Sequence, residues 1–144
     1  MKKEKILVLC TGNSARSQMG EGLFRAEGGE GFQVYSAGTK PSSVRPEAIA
    51  VMKEIGIDIS GRRSKHVDEF KGQKMDYVIT VCDNAKESCP IFPGAAKVVH
   101  WPFPDPPHGQ VENEVVLGEF RRVRDMIVAK FKDFKAFENP LKLS

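Results

Sequence analysis

The sequence has no apolar run long enough to cross a membrane or to form the core of a signal peptide. The longest near the N-terminus is Ile6 to Cys10. It has no block of like charge either. The net charge is +3 over 144 residues, and residues 111–144 carry seven Lys or Arg against six Asp or Glu, so no basic arm is offered to nucleic acid. Internal repeats, low-complexity stretches and linkers are missing. Cysteine is scarce: Cys10, Cys82 and Cys89 are an odd set, unlike the framework of a disulfide-stapled secreted domain. These absences predict a cytoplasmic protein with no membrane and no nucleic-acid partner. What remains is an ordinary globular balance, 40% hydrophobic and 28% charged, enough for one core. A single domain over residues 1–144 is expected. The three thiols stand as reactive groups, metal ligands or buried bystanders.

The apolar pattern alternates between strand and helix. Ile6–Leu9 is apolar on both faces, as a strand in the middle of a parallel sheet must be. From Ser17, apolar Met19, Leu23 and Ala26 recur at helical spacing until Gly28-Gly29. Phe32–Ser36 reads as a strand closed by Ala37-Gly38. Pro46 opens a second helix with a stripe of Ala48, Met52 and Ile55, ended by Gly56. Residues 58–75 are polar, a loop with room for a short helix. Tyr77–Val81 and Lys97–Trp101 give two more strands, the last followed by a loop that Pro102, Pro104, Pro106 and Pro107 stiffen. Val116, Phe120, Val123, Ile127, Phe131 and Phe134 mark a long amphipathic final helix. This order predicts an α/β fold with a parallel sheet and right-handed crossovers. Ligands then sit beyond the carboxyl ends of the strands, where Cys10 and Cys82 both fall. The tail, residues 135–144, carries no reading.

The most informative stretch is Cys10-Thr11-Gly12-Asn13-Ser14-Ala15-Arg16-Ser17. It lies between a strand and a helix. Gly12 and Asn13 tolerate positive φ, which turns successive N–H groups inward. The helix that follows adds the positive end of its dipole. Arg16 supplies a planar fork for two oxygens of a tetrahedral anion. The same field favours a thiolate at Cys10, and the Ser17 hydroxyl can donate to it. Cys-x5-Arg alone occurs by chance, as a core thiol followed by a surface arginine. The strand, the small polar loop, Ser17 and the helix together carry the anion-cradle reading.

This loop in its strand–loop–helix setting resembles the low-molecular-weight protein tyrosine phosphatase family, which also hosts an arsenate-reducing branch. The resemblance to thioredoxin-coupled arsenate reductases covers nearly the whole chain. It rests on Cys10 to Ser17, Tyr35-Ser36-Ala37-Gly38-Thr39, Gly56-Ile57-Asp58-Ile59-Ser60, Cys82 to Pro90 and His100 to Pro106. It implies a three-layer α/β/α domain around a central four-stranded parallel sheet. Thr11, Gly12, Asn13, Ser14, Ala15, Arg16 and Ser17 would bind the substrate, and Asp105 would be the general acid; without the resemblance Asp105 reads as readily as a turn residue. One departure is Pro107, where the phosphatase branch usually has an aromatic residue.

The cysteines separate the branches. A phosphatase needs one, whereas a reductase must supply two electrons, which a dithiol does by leaving as a disulfide. On an intact helix the seven-residue offset of Cys82 and Cys89 is about 10 Å of rise. A disulfide needs Cα atoms within roughly 7 Å, so that stretch must unwind or loop. Cys-x6-Cys is not a zinc spacing. The resemblance implies a relay through Cys10, Cys82 and Cys89 that reduces arsenate to arsenite for arsenic detoxification. It further implies that no organic cofactor is bound, that thioredoxin is the external electron donor, and that phosphate and sulfate compete. A weak side phosphatase activity and a monomer are expected. A phosphatase with Cys82 and Cys89 idle, or an oxyanion-responsive redox switch without catalysis, remains open at this point. Some family members hold a potassium ion through residues matching Asn13, Glu21 and Ser36. Here Lys65 stands in place of a further carboxylate, so no metal is predicted and those residues would support the loop. The basic segment with Arg62, Arg63, Lys65, Lys71 and Lys74 reads as a solvated loop before it reads as a steering surface. Trp101 reads as core.

Overall fold

The computed structural model describes residues 4–28, 31–83, 91–107 and 113–138. The chain runs β1 (Glu4–Cys10), α1 (Arg16–Glu27), β2 (Phe32–Gly38), α2 (Pro46–Lys53), a 3₁₀ turn (Val67–Phe70), β3 (Met75–Thr80), β4 (Ala95–His100) and α3 (Glu114–Glu138). The four strands form one sheet in the order β2-β1-β3-β4, and every neighbouring pair is parallel.

Successive strand residues face opposite sides of a sheet, and β1 is apolar on both. Ile6 and Val8 join Tyr77 and Ile79 in a core covered by α1, α2 and α3. Leu7 and Leu9 face the other way, where Ala37, Val78 and Met75 meet Phe70 of the 3₁₀ turn and Phe92. The α/β fold with a four-stranded parallel sheet therefore stands. Among the described residues the three α-helices share one face, and the 3₁₀ turn with its flanking loops covers the other.

All six residues of the expected stripe on α3 are buried. Two of them, Phe131 and Phe134, meet Phe24 at 4.7 Å and 5.5 Å between ring centroids, and Trp101 stacks on it at 6.2 Å. Phe24 is thus the hub of the aromatic core, and its truncation to alanine should cost about 3–5 kcal/mol. Trp101 is core, as expected.

Three local expectations change. Ala26 is exposed, because α1 buries the stripe of Met19, Leu23 and Phe24 instead. Ile55 is 41% exposed. It falls past the end of α2, whose buried stripe is Ala48, Val51 and Met52. Gly56 at φ +81° then reverses the chain, and Ile57 and Ile59 return beneath α1. Gly22 permits that approach, since a Cβ there would lie 2.6 Å from Ile59 Cγ2. Finally β4 starts at Ala95 and stops at His100, one residue before Trp101. It is a short edge strand carrying exposed Lys97, a usual guard against edge-to-edge pairing.

The register sets the carboxyl edge. Cys10 pairs with Gly38, Leu9 with Thr80, and Thr80 with His100. The carboxyl ends of β1, β2, β3 and β4 therefore share one rim.

Candidate active site

The loop from Cys10 to Ser17 is fixed from outside through its carbonyls. Thr11 O accepts from Lys40 N (2.9 Å), Gly12 O from Ser42 N (3.2 Å), Ser14 O from Arg45 N (2.8 Å) and Ala15 O from Met19 N (2.8 Å). Asn13 O accepts from Ser64 Oγ at 2.6 Å. Engaging the carbonyls on the outer side turns the peptide planes so that their amide faces look into the hollow above Cys10. Asn13 takes the left-handed conformation this demands, at φ +47°, which asparagine tolerates better than most residues. The first residue of α1 is Arg16, and Ala15 before it provides no side-chain cap, so the positive helix end is directed at the same hollow. Gly38 keeps the neighbouring strand close, since a Cβ there would stand 2.3 Å from Thr11 O.

Cys10 is a free, buried thiol. Its sulfur lies 2.8 Å from Ser17 Oγ and receives Asn13 N at 3.2 Å. Ser17 is itself fully buried and accepts from Asn13 Nδ2 at 2.8 Å. Asn13 is held in turn by Lys65 N and Gln18 Nε2, each donating to Oδ1 at 2.9 Å. The thiol therefore rests on a buried chain of hydrogen bonds that reaches the segment 63–65.

Arg16 is 3% exposed. Its Nη1 donates to Phe103 O at 3.2 Å and to Val81 O at 3.4 Å, which ties the loop after β1 to the ends of β3 and of the proline-rich loop. Its Nη2 lies 3.7 Å from Asp105 Oδ1, and the Asp105 side chain is 50% exposed. The prolines thus carry a carboxylate to the mouth of the cradle, beside the guanidinium and facing the thiol's cleft.

Cys82 lies two residues past the end of β3, on the strand next to the one that ends in Cys10. It is fully buried and disulfide-bonded. Cys89 lies outside the described residues, as does all but Asp83 of the stretch 83–89 expected to unwind or loop.

Behind the loop, Glu21 is 2% exposed. It accepts from Ser36 Oγ at 2.5 Å, Arg25 Nε at 2.8 Å and Arg62 Nη1 at 2.5 Å, with Lys65 Nζ at 3.8 Å. Burial pushes the Lys65 ammonium below its ordinary value, and the nearby Glu21 charge opposes that shift. Three cationic side chains already surround the carboxylate that would hold a potassium ion, so these residues do not fit a further cation. Among the described residues no group of three or more His, Cys, Asp or Glu is placed to hold a metal ion. The basic segment is solvated at Arg63, Lys71 and Lys74, as expected, but not throughout: Arg62 serves buried Glu21, and the backbone N–H of Lys65 holds Asn13. Arg62 and Lys65 thus help to support the loop.

A cleft of about 190 Å³ opens above the loop, lined by Cys10, Thr11, Gly12, Ser14, Ala15, Arg16 and Asp105 together with Ser42 and Arg45. Asn13 and Ser17 are wholly buried, and their side chains hold the thiol from behind. Ser42 and Arg45 were not anticipated, nor were Gln18 and Ser64. One available signal was topological: residues 39–45 follow the carboxyl end of the strand paired with β1, so they had to reach this rim. Among the described residues no helix is long and apolar enough to cross a membrane.

The chain has known relatives. The chain is 46% identical over 134 residues to an arsenate reductase of Halalkalibacterium halodurans, covering 93% of this chain and 96% of that protein. It is 42% identical over 134 residues to an arsenate reductase of Bacillus subtilis, again covering 93% and 96%. A solved structure described as an arsenate reductase in the phosphate binding state superposes with a TM-score of 0.77 at 32% identity, over 92% of this chain and 97% of that one. The model of the family described as low molecular weight phosphotyrosine protein phosphatase matches residues 5–139. With residues 5–139 so matched and relatives at 42–46% identity over 93% of its length, the chain belongs to the low molecular weight phosphotyrosine protein phosphatase family.

Proposed function

We propose that the chain reduces arsenate to arsenite, a step in arsenic detoxification, through Cys10, Cys82 and Cys89. The carrying observation is the pairing of a free buried thiol in an anion cradle with a second cysteine, one strand away, that is disulfide-bonded. Relatives at 42–46% identity that bear the name arsenate reductase support the same reading.

Arsenate enters the cleft and is held by the loop amides and Arg16. The Cys10 thiolate attacks arsenic, forming a sulfur–arsenic bond, and the departing oxygen leaves as water with a proton from Asp105. Cys82 thiolate then attacks Cys10 Sγ. The electron pair of the sulfur–arsenic bond passes to arsenic, and arsenite leaves with a Cys10–Cys82 disulfide behind it. Cys89 attacks Cys82, which frees Cys10 and completes a Cys82–Cys89 disulfide. An external dithiol, thioredoxin, returns the two electrons. No bound organic cofactor takes part. Phosphate and sulfate, with the same tetrahedral shape, compete, and slow hydrolysis of an aryl phosphate by Cys10, Arg16 and Asp105 is a side activity.

The test is a coupled assay with arsenate, thioredoxin, thioredoxin reductase and NADPH. Arsenate-dependent loss of NADPH, absent in Cys10→Ser, is expected. No arsenate-dependent loss, alongside steady turnover of an aryl phosphate, would make the chain a phosphatase instead.

A further inference from the structure

The chain has eight arginines, and seven are ion-paired with Asp or Glu. Arg45 is the exception: no carboxylate among the described residues pairs with it. It lines the cleft above Cys10 together with Arg16, Ser42 and Asp105. Its backbone N–H donates to Ser14 O at 2.8 Å, which locks its position to the anion loop. The residue is half-buried, and its Nε is buried without a hydrogen-bond partner. A buried donor left unsatisfied is costly, and more so on a charged group.

Arg16 has Asp105 at 3.7 Å to offset its charge. Among the described residues Arg45 has no such counter-charge, so among them it is the cleft's uncompensated cation. A planar fork with unused donors, held at the rim of an oxyanion site, is suited to an oxygen that Arg16 and the loop leave uncovered. We propose that Arg45 is a second anion-holding residue of this cleft, which selects doubly charged tetrahedral oxyanions. This rests on the reading that the Cys10 loop binds an oxyanion, and adds to it a determinant of affinity and charge preference.

The experiment uses the full chain with Cys82→Ser and Cys89→Ser, so that only Cys10 reacts. Alkylation by neutral iodoacetamide and by anionic iodoacetate is followed, with and without inorganic phosphate or sulfate. Arg45→Gln should raise the half-protecting phosphate concentration about tenfold. It should also lower the iodoacetate-to-iodoacetamide rate ratio, the anionic reagent losing more than the neutral one. Arg45→Lys should recover part of both effects, because it keeps the charge and loses the fork. Unchanged protection and an unchanged rate ratio in Arg45→Gln would overturn the proposal. So would a loss of protection accompanied by an equal change in both alkylation rates, which would make Arg45 a scaffold for the loop. Absence of phosphate protection in the parent chain would instead overturn the oxyanion reading on which it stands.

Discussion

Ser17 stands between Asn13 and the Cys10 sulfur, where its hydroxyl can donate to a thiolate. Ser17 Oγ accepts from Asn13 Nδ2 at 2.8 Å and lies 2.8 Å from Cys10 Sγ. The orientation of the Asn13 amide follows from its other partners: Oδ1 receives N–H groups from Lys65 and Gln18, so the nitrogen end must face Ser17. A serine oxygen that accepts there keeps its hydrogen for a thiolate.

Ser17→Ala removes that donor. A hydrogen bond to a charged group is worth about 1.5–3 kcal/mol, ten- to hundredfold in rate if it is made to the attacking thiolate. Arsenate turnover should fall by that range in Ser17→Ala, and by a similar range in Asn13→Ala, which lets Ser17 turn away. The double variant should fall by less than the product of the two, since both act through one contact. Fully multiplicative losses in the coupled assay would show that the residues act separately.

The second prediction concerns Glu21. Arg25 and Arg62 bond to it directly and Lys65 stands nearby. Exchanging potassium for sodium at constant ionic strength should leave both the melting temperature and arsenate turnover unchanged. Arg62→Ala should destabilise the fold by about 3 kcal/mol, because it strips a partner from a buried carboxylate, and in that variant added potassium should restore part of the loss. A potassium-dependent rise in melting temperature of the parent chain would contradict this view of the cluster.

The third prediction is a pH dependence. Glu54, just past α2, is bonded by Arg121 and Arg124 of α3. The Arg121 hydrogen bond, foremost, holds its carboxyl below the ordinary 4.5. A lowered carboxyl pKa gives stability that is fully present above the ordinary value and is lost as pH falls through the folded one. The side chain is 39% exposed, so screening limits the effect to about 1 kcal/mol or less. The melting-temperature gap between the parent chain and Glu54→Gln should therefore close as pH falls below 4.5. A gap that widened on acidification would reverse the sign of this link.

The features legible in the sequence were those carried by local pattern. Ile6–Leu9 declared a two-faced strand, Val116 to Phe134 a helix stripe, and Cys10 to Ser17 an anion loop. Features made by side chains distant in sequence were hidden. Asp105 reads alone as a turn residue, and only the fold brings it to Arg16. Arg62 and Lys65 read as solvated charge, yet they embrace a carboxylate 41 and 44 positions earlier in the chain. Ile55 kept helical spacing but fell beyond the turn that Gly56 imposes, because a stripe gives phase and does not give the end of a helix. Arg45 carried no local signal at all, since its neighbours in the cleft come from the loops after β1 and β4.

The most direct test of the relay stops it halfway. Cys89→Ser, reduced and then mixed with arsenate without any other reductant, should release one arsenite per chain and halt. Peptide mapping by mass spectrometry should then show Cys10 and Cys82 joined in a disulfide. Arsenite release with both thiols still free, or continued turnover of this variant with thioredoxin, would contradict transfer of the electrons from Cys10 through Cys82 to Cys89.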